Sequence, residues 1–309
     1  MSDAAPSIRN PQSEQRNRFY RLGTFRLALA LAKALPRGLS QALAGAIGRA
    51  TFPLAKNARE SLRANLALVT GRQGRELDAL CKTNFARFVK MLADYFYATS
   101  AKPDRIRALL AEWRGYEHIE AALARGRGAI VVTAHLGNWE LGGMILALRG
   151  LPLTVVTLRE PAGGLSRWRE DYRRRLGIRT ITVGADNTFA FLEMVNALRR
   201  NEFVAMLVDR PYDGTGSPVR FFGRETLFST APALLWQHTA ATVLPAFTLQ
   251  NERGGYVSFA EPPVEMAGSV NPREALAQNT QRIATAFEAI VREHPGQWFN
   301  YVPIWKNEG

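Results

Sequence analysis

The stretch Ala129-Ile-Val-Val-Thr-Ala-His135-Leu-Gly-Asn-Trp-Glu140-Leu-Gly-Gly143 is where the fold class can be read. A run of apolar, mostly β-branched residues enters a His-Leu-Gly turn, and Asn138 is well placed to cap a helix that follows at once. A strand running directly into a helix begins a βαβ unit, and the same rhythm continues downstream. Strands are expected at Ala129–Thr133, Leu153–Leu158, Thr180–Val183, Phe203–Val208 and Val243–Leu249. Helical patterns lie between them at Asn138–Leu148, Leu165–Leu176, Asn187–Arg199 and Ala231–Thr239. This alternation predicts an α/β fold with a central, largely parallel sheet flanked by helices. A long helix over about Pro272–His294 and a final aromatic strand, Trp298–Ile304, are expected to close it.

Upstream the character changes. Residues 1–17 read as a disordered tail, and from Arg18 to about Val69 the pattern is helical and basic. Phe19, Leu22, Phe25, Leu29 and Ala32 fall at helical spacing among Arg18, Arg21, Arg26 and Lys33. Pro36 breaks that helix; Leu39–Ala50 and Asn57–Val69 follow on either side of Pro53, and Arg75–Thr99 is a further helix. Three segments result: the tail 1–17, a basic amphipathic helical segment 18–74 and an α/β domain 75–309.

At 309 residues with 47% hydrophobic and 22% charged side chains, the chain fits a folded protein and not a disordered or collagen-like one. Its net charge is +13, and 34 of its 40 basic residues are Arg. Residues 1–75 hold 13 basic and 3 acidic side chains, so most of the excess sits there. A basic quarter on a near-neutral body suggests an address on an anionic surface: membrane, nucleic acid or acidic protein. Basic amphipathic helices side by side read either as membrane-surface elements or as an ordinary solvated face. The single Cys81 excludes an internal disulfide framework and a Cys-based zinc site within one chain. No secretory signal or membrane-spanning helix is expected, because the apolar stretches near the N-terminus fall short of the ~20 residues a bilayer span needs.

Ligands of open α/β sheets collect beyond the carboxyl ends of the strands, where His135 should lie. Glu140 is five residues on, in the first helical turn. Two readings stand. In one, the strand-to-helix bend folds the carboxylate onto the imidazole, making a general base with its orienting acid. In the other, Glu140 is an acid favoured by the helix dipole and His135 an ordinary turn histidine. Gly-x-Ser-x-Gly, Walker-type and His-Glu-x-x-His motifs are absent, and the four histidines have no metal-ligand spacing. No metal and no cofactor are therefore expected. A base without a protein nucleophile suggests direct attack of one substrate on another.

His135 with Glu140 resembles the His-x4-Asp/Glu motif of glycerolipid acyltransferases. The strip Thr133-Ala-His-Leu-Gly-Asn-Trp-Glu-Leu-Gly is similar to that of the bacterial lipid A biosynthesis (late lauroyl/myristoyl) acyltransferase family, which includes relatives acylating phosphatidylinositol mannosides. The similarity runs along most of the chain, through Ser61-Leu-Arg-Ala-Asn-Leu, Val208-Asp-Arg-Pro, Phe221-Phe222-Gly223, Ala231-Pro-Ala-Leu-Leu, Leu244-Pro-Ala-Phe and Pro295-Gly-Gln-Trp-Phe. Asp209-Arg210 stands where the family often has Asp-Gln, and the family's arginine after the second strand is best matched by Arg159, here followed by Glu160-Pro161.

The resemblance implies an O-acyltransferase in which His135, with Glu140, deprotonates a hydroxyl of a lipid or glycolipid acceptor of the lipid A type. The donor is then an acyl thioester of acyl carrier protein or coenzyme A. Arg159, or backbone N–H groups near Gly137 and Asn138, are expected at the oxyanion. Asp209 would hold the acceptor or Arg159, or else cap a loop. Arg167, Arg169, Arg173, Arg174, Arg175 and Arg179 form a basic run suited to lipid phosphates or an acidic carrier, Arg174 and Arg175 foremost, or else a salt-bridged surface helix with Glu170 and Asp171. The implied location is the cytoplasmic face of the bacterial inner membrane, peripheral or monotopic, with no nucleic-acid partner. The rivals are a non-catalytic binder of anionic lipid or nucleic acid, and a soluble hydrolase with water replacing the acceptor.

Overall fold

The computed structural model describes residue 30 and residues 34–158, 163–184, 187–211 and 216–305, with residues 163–166 as backbone alone. The expected tail and the helix expected from Arg18 lie outside the described residues. In chain order the elements are α1 (Arg37–Thr51), α2 (Lys56–Thr70), α3 (Gly74–Ser100), α4 (Pro103–Arg107), β1 (Leu110–Arg114) and α5 (Tyr116–Ala124). Then come β2 (Ala129–Thr133), α6 (Trp139–Leu148), β3 (Leu153–Leu158), α7 (Gly163–Arg175), β4 (Arg179–Val183), α8 (Ala190–Arg199) and β5 (Phe203–Leu207). A hairpin of β6 (Ser217–Phe221) and β7 (Arg224–Phe228) precedes α9 (Ala231–Thr239), β8 (Thr242–Gln250), β9 (Tyr256–Ala260) and α10 (Pro272–Glu293).

Seven strands form one sheet in the order β1-β9-β8-β2-β5-β3-β4. Neighbours from β8 to β4 run parallel, as expected, and only β9 turns back antiparallel on β8, with β1 parallel to β9. The central strands β2 and β5 are covered on both faces, which is why they read as nearly unbroken apolar runs. On β2 the two-residue period sends Ile130 and Val132 into one core and Ala129 and Val131 into the other. The first core takes Leu62 and Leu66 of α2, Phe85 of α3, Met194 of α8, Leu235 of α9 and Phe287 of α10. The second takes Ile119 of α5 and Leu146 of α6. The α1 helix lies on α3 so closely that a Cβ added at Gly48 would sit 2.5 Å from the Phe85 carbonyl oxygen.

The C-terminal segment departs from expectation. Apart from one bridge between Leu136 and Trp298, residues 298–304 form no strand. The Phe299 N–H donates to the His135 carbonyl at 2.7 Å, and side chains take up several of the other backbone groups, with no strand ladder. Asn65 Nδ2 donates to the carbonyls of Asn300 (2.9 Å) and Val302 (2.8 Å), and Asn65 Oδ1 accepts from the Ile304 N–H. Asn84 Nδ2 donates to the Trp298 carbonyl at 2.9 Å. Both asparagines are fully buried, so each bond lost leaves a polar group unsatisfied. Asn65→Ala should therefore cost about 3 kcal/mol in urea unfolding; a loss below about 1 kcal/mol would mean that Asn65 does not hold the segment.

Candidate active site

His135 lies two residues beyond the end of β2, and Asp209 lies two residues beyond the end of β5. These strands are neighbours, paired in register up to Thr133 opposite Leu207, so the two residues arrive side by side. His135 Nδ1 is 2.7 Å from Asp209 Oδ1, and the His135 backbone N–H donates to Oδ2 at 3.1 Å. Oδ2 also accepts from Trp298 Nε1 (3.1 Å) and Asn300 Nδ2 (2.9 Å). The Asp209 carboxyl is buried, which alone would raise its pKa. The charge and hydrogen bond of His135, the charge of Arg210 and the Asn300 bond overturn that and hold it well below the usual carboxylate range.

A carboxylate only accepts, so the proton between the two groups sits on Nδ1 and the lone pair on Nε2. Arg210 Nε approaches the same Nδ1 at 3.3 Å; with Nδ1 donating to Asp209, that contact acts through charge. The imidazole is 21% exposed, with the edge of Trp139 against it at 5.4 Å between ring centroids.

The turn between β2 and α6 is fully committed to its own structure. Gly137 has φ +66°, and a Cβ there would lie 2.2 Å from the Thr248 carbonyl oxygen, so only glycine fits. Its N–H donates to the Gln297 carbonyl (2.9 Å) and that of Asn138 to the Thr248 carbonyl (2.7 Å). Asn138 caps α6 as expected, Oδ1 accepting from the Leu141 N–H at 3.0 Å. Both residues are buried, and their N–H groups, expected at an oxyanion, are already spent.

Glu140 does not fold back onto the imidazole; among the described residues its partners lie on α7. Tyr172 Oη donates to Oε2 at 2.5 Å and Arg173 Nη2 to Oε1 at 2.6 Å. Burial would raise the Glu140 carboxyl, but Arg173, Arg169 and the two hydrogen bonds lower it, while Glu140 more than offsets the burial that would lower Arg173. The Tyr172 ring that donates to Glu140 belongs to an aromatic cluster, edge-on to Tyr95 and tilted against Trp168. Asp209 has the position at Nδ1 that the spacing suggested for Glu140.

The model of the family described as "Bacterial lipid A biosynthesis acyltransferase" matches residues 18–307. The chain belongs to this family. A phosphatidylinositol mannoside acyltransferase of Mycobacterium tuberculosis (strain CDC 1551 / Oshkosh) is 29% identical over 80% of this chain and 77% of its own. One of Mycolicibacterium smegmatis is 26% identical over 89% of this chain and 88% of its own. A lipid A biosynthesis palmitoleoyltransferase of Escherichia coli (strain K12) is 24% identical over 71% of each chain.

In this acyltransferase the expected basic run of α7 is divided. Arg173 is buried on Glu140, Arg174 pairs with Asp171 on the helix surface, Arg179 lies 3.4 Å from Glu202, and Arg175 is exposed. Arg159 lies outside the described residues. The sequence alone does not single out Trp298, Asn300 or Tyr172, and presents Arg173 only as one member of the basic run. The Trp298 strip carried only the family resemblance, and nothing in its spacing ties it to a carboxylate 89 residues away.

Glu140 contributes stability that is present above the ordinary carboxylate pKa and lost as pH falls through its lowered folded value. Glu140→Gln should lower stability near pH 7 by about 3–5 kcal/mol, because Arg173 keeps a buried charge without its partner. It should also flatten the decline of stability below about pH 5. A pH series of denaturant melts checks both; a variant profile as steep as wild type would show that the carboxyl is not held low.

Proposed function

We propose that this acyltransferase moves a fatty acyl chain from an acyl thioester to a hydroxyl of a lipid or glycolipid acceptor, with His135 as general base. The observation that carries the reading is the partly exposed imidazole whose Nδ1 is fixed by a buried, ionised Asp209. Nε2 takes the hydroxyl proton as the oxygen attacks the thioester carbonyl carbon. The C–S bond then breaks, and the thiolate leaves with the proton returned by the imidazolium, so no net proton is consumed. Asp209 stabilises that imidazolium and keeps the ring in one tautomer. Glu140, which the sequence suggested for this task, acts instead as a positioning residue joining α6 to α7. Arg159 is the side chain proposed for the oxyanion.

The donor in this reading is acyl carrier protein or coenzyme A thioester. The acceptor is a glycolipid of the lipid A type; a mannosylated lipid is the second reading, favoured by the mycobacterial relatives matching more of the chain than the Escherichia coli one. His135→Ala and Asp209→Asn should each lower acyl transfer by about 10²-fold or more while the fold is kept. Glu140→Gln should lose activity in step with stability and recover it under stabilising conditions. Product mass spectrometry with both acceptors reads the outcome. Near-wild-type transfer by folded His135→Ala would end the mechanism, and equal thioester consumption without acceptor would favour a hydrolase.

Peripheral attachment to the cytoplasmic face of the inner membrane belongs to the same proposal. No described helix is long and apolar enough to cross a membrane. The outward face of α1 is Leu39, Ala42, Leu43, Ala46, Ile47 and Ala50, all exposed, and Leu54 just beyond is 81% exposed. That is an apolar stripe at helical spacing with Arg37, Arg49 and Lys56 nearby, the pattern of an interfacial helix. Leu43→Gln with Ile47→Gln should weaken binding to anionic vesicles about tenfold or more and abolish the salt-resistant part, since each buried side chain contributes about 1.5–3 kcal/mol. Unchanged sedimentation would remove α1 from the membrane contact.

A further inference from the structure

A cavity of about 300 Å³ opens between the first turn of α1, the middle of α3 and the turn from β8 to β9. It is separate from the His135 site and unused by the mechanism. Its walls carry Arg37, Arg87, Lys90 and Arg253 against a single carboxylate, Glu252. Arg37 is already neutralised: it clamps the buried Asp94 with Nε to Oδ1 at 2.8 Å and Nη2 to Oδ2 at 2.7 Å, and Nη2 also donates to the Gly254 carbonyl. That clamp fixes the wall and leaves Arg37 with little charge to spare.

Arg87 and Lys90 are different. They lie three residues apart on α3, hence on one face, and both are half-buried. Among the described residues no carboxylate forms an ion pair with Arg87, Lys90 or Arg253; Glu252 reaches Arg87 only through its field. Partial burial strips part of the hydration of both cations, and for Arg87 that loss outweighs the field of Glu252. With Arg37 neutralised, Arg87, Lys90 and Arg253 against Glu252 give the cavity an excess of about two positive charges. Two amides join the lining: Gln250 Nε2 donates to Gln41 Oε1 at 3.2 Å and Gln41 Nε2 to the Lys90 carbonyl at 2.9 Å, and each nitrogen has a second N–H to donate. Cationic side chains with amide donors around a small hollow suit a tetrahedral oxyanion group.

We propose that this cavity is a binding site for a phosphate ester. The ester is borne by a phospholipid headgroup or by a soluble phosphate compound, and the chemistry recognised is the same. Arg37, Gly38 and Gln41 line the cavity on one side of the first turn of α1, while Leu39 and Leu43 begin that helix's exposed apolar stripe. A headgroup in the cavity would therefore have its chains beside that stripe. The site does not depend on the acyl-transfer reading and is tested without it.

The test uses the full chain and two double variants of equal charge loss. Arg87→Gln/Lys90→Gln strips the cavity, and Arg125→Gln/Arg127→Gln removes two exposed cations outside it. Binding of glycerol 3-phosphate is measured by calorimetry, and binding to phosphatidylglycerol and phosphatidylcholine vesicles by sedimentation. Melting temperature is followed throughout. The cavity variant should melt no lower than wild type, because neither cation holds an ion pair among the described residues. A tenfold or greater loss of glycerol 3-phosphate binding confined to the cavity variant supports a soluble ester. A similar loss confined to phosphatidylglycerol vesicles in that variant supports a lipid headgroup. The proposal fails if the two variants behave alike with every probe, or if the cavity variant melts lower yet binds as wild type, which would make Arg87 and Lys90 structural.

Discussion

A carboxylate with about 1% of its surface exposed cannot remain ionised without several partners, and Asp209 is in that position. Four hydrogen-bonding groups converge on it: the backbone and ring nitrogens of His135, the Trp298 indole and the Asn300 amide. Each donor comes from a different stretch of chain from Asp209's own, so the carboxylate requires β2, β5 and the C-terminal segment to be correctly assembled together. The C-terminal segment in turn is fixed by Asn65 and Asn84 from α2 and α3. A line of buried polar contacts thus runs from the N-terminal helices to the imidazole. The helices beneath the sheet act as the outer support of the site.

The second buried ion pair, Glu140 with Arg173, shows how two acids near one histidine divide their tasks. Asp209 orients the ring. Glu140 fastens the first turn of α6 to α7 beside an aromatic cluster. Both carboxyls are held below their ordinary range, and in each case the neighbours rather than burial set the direction. Low pKa alone does not distinguish a residue that touches reacting atoms from one that fixes a helix. Distance to the imidazole does.

The positive charge of the N-terminal quarter is likewise not of one kind. Arg37 is spent on Asp94, and Arg63 pairs with Asp78, so both serve internal structure. Arg49 and Lys56 stay on the surface near the apolar stripe of α1. A net charge counted along the sequence therefore overstates what this segment offers to an anionic surface. Among the described residues, Arg49 and Lys56 lie where apolar side chains are also exposed.

Much of the fold was legible because interior parallel strands bury both faces and have no choice but to be apolar. Ala129–Thr133, Leu153–Leu158 and the helix Ala231–Thr239 lie where their patterns put them. Edge elements carry no such signature: β1, with Leu110 and Trp113 half-buried and the residues between them exposed, and the hairpin of β6 and β7 were not foreseen. The reverse error was the strand read at Trp298–Ile304, where aromatic residues serve a segment bonded by buried asparagines. Of the site, the sequence by itself determined the strand–turn–helix unit, His135 at its mouth, the Asn138 cap and the likeness to an acyltransferase family; that Gly137 admits no side chain follows from the approach of the Thr248 carbonyl. Which carboxylate meets the imidazole was decided only by the tertiary structure. Glu140 is five residues from His135 and Asp209 is 74, yet β5 lies beside β2 in matching register, and a sheet converts register into contact whatever the separation along the chain.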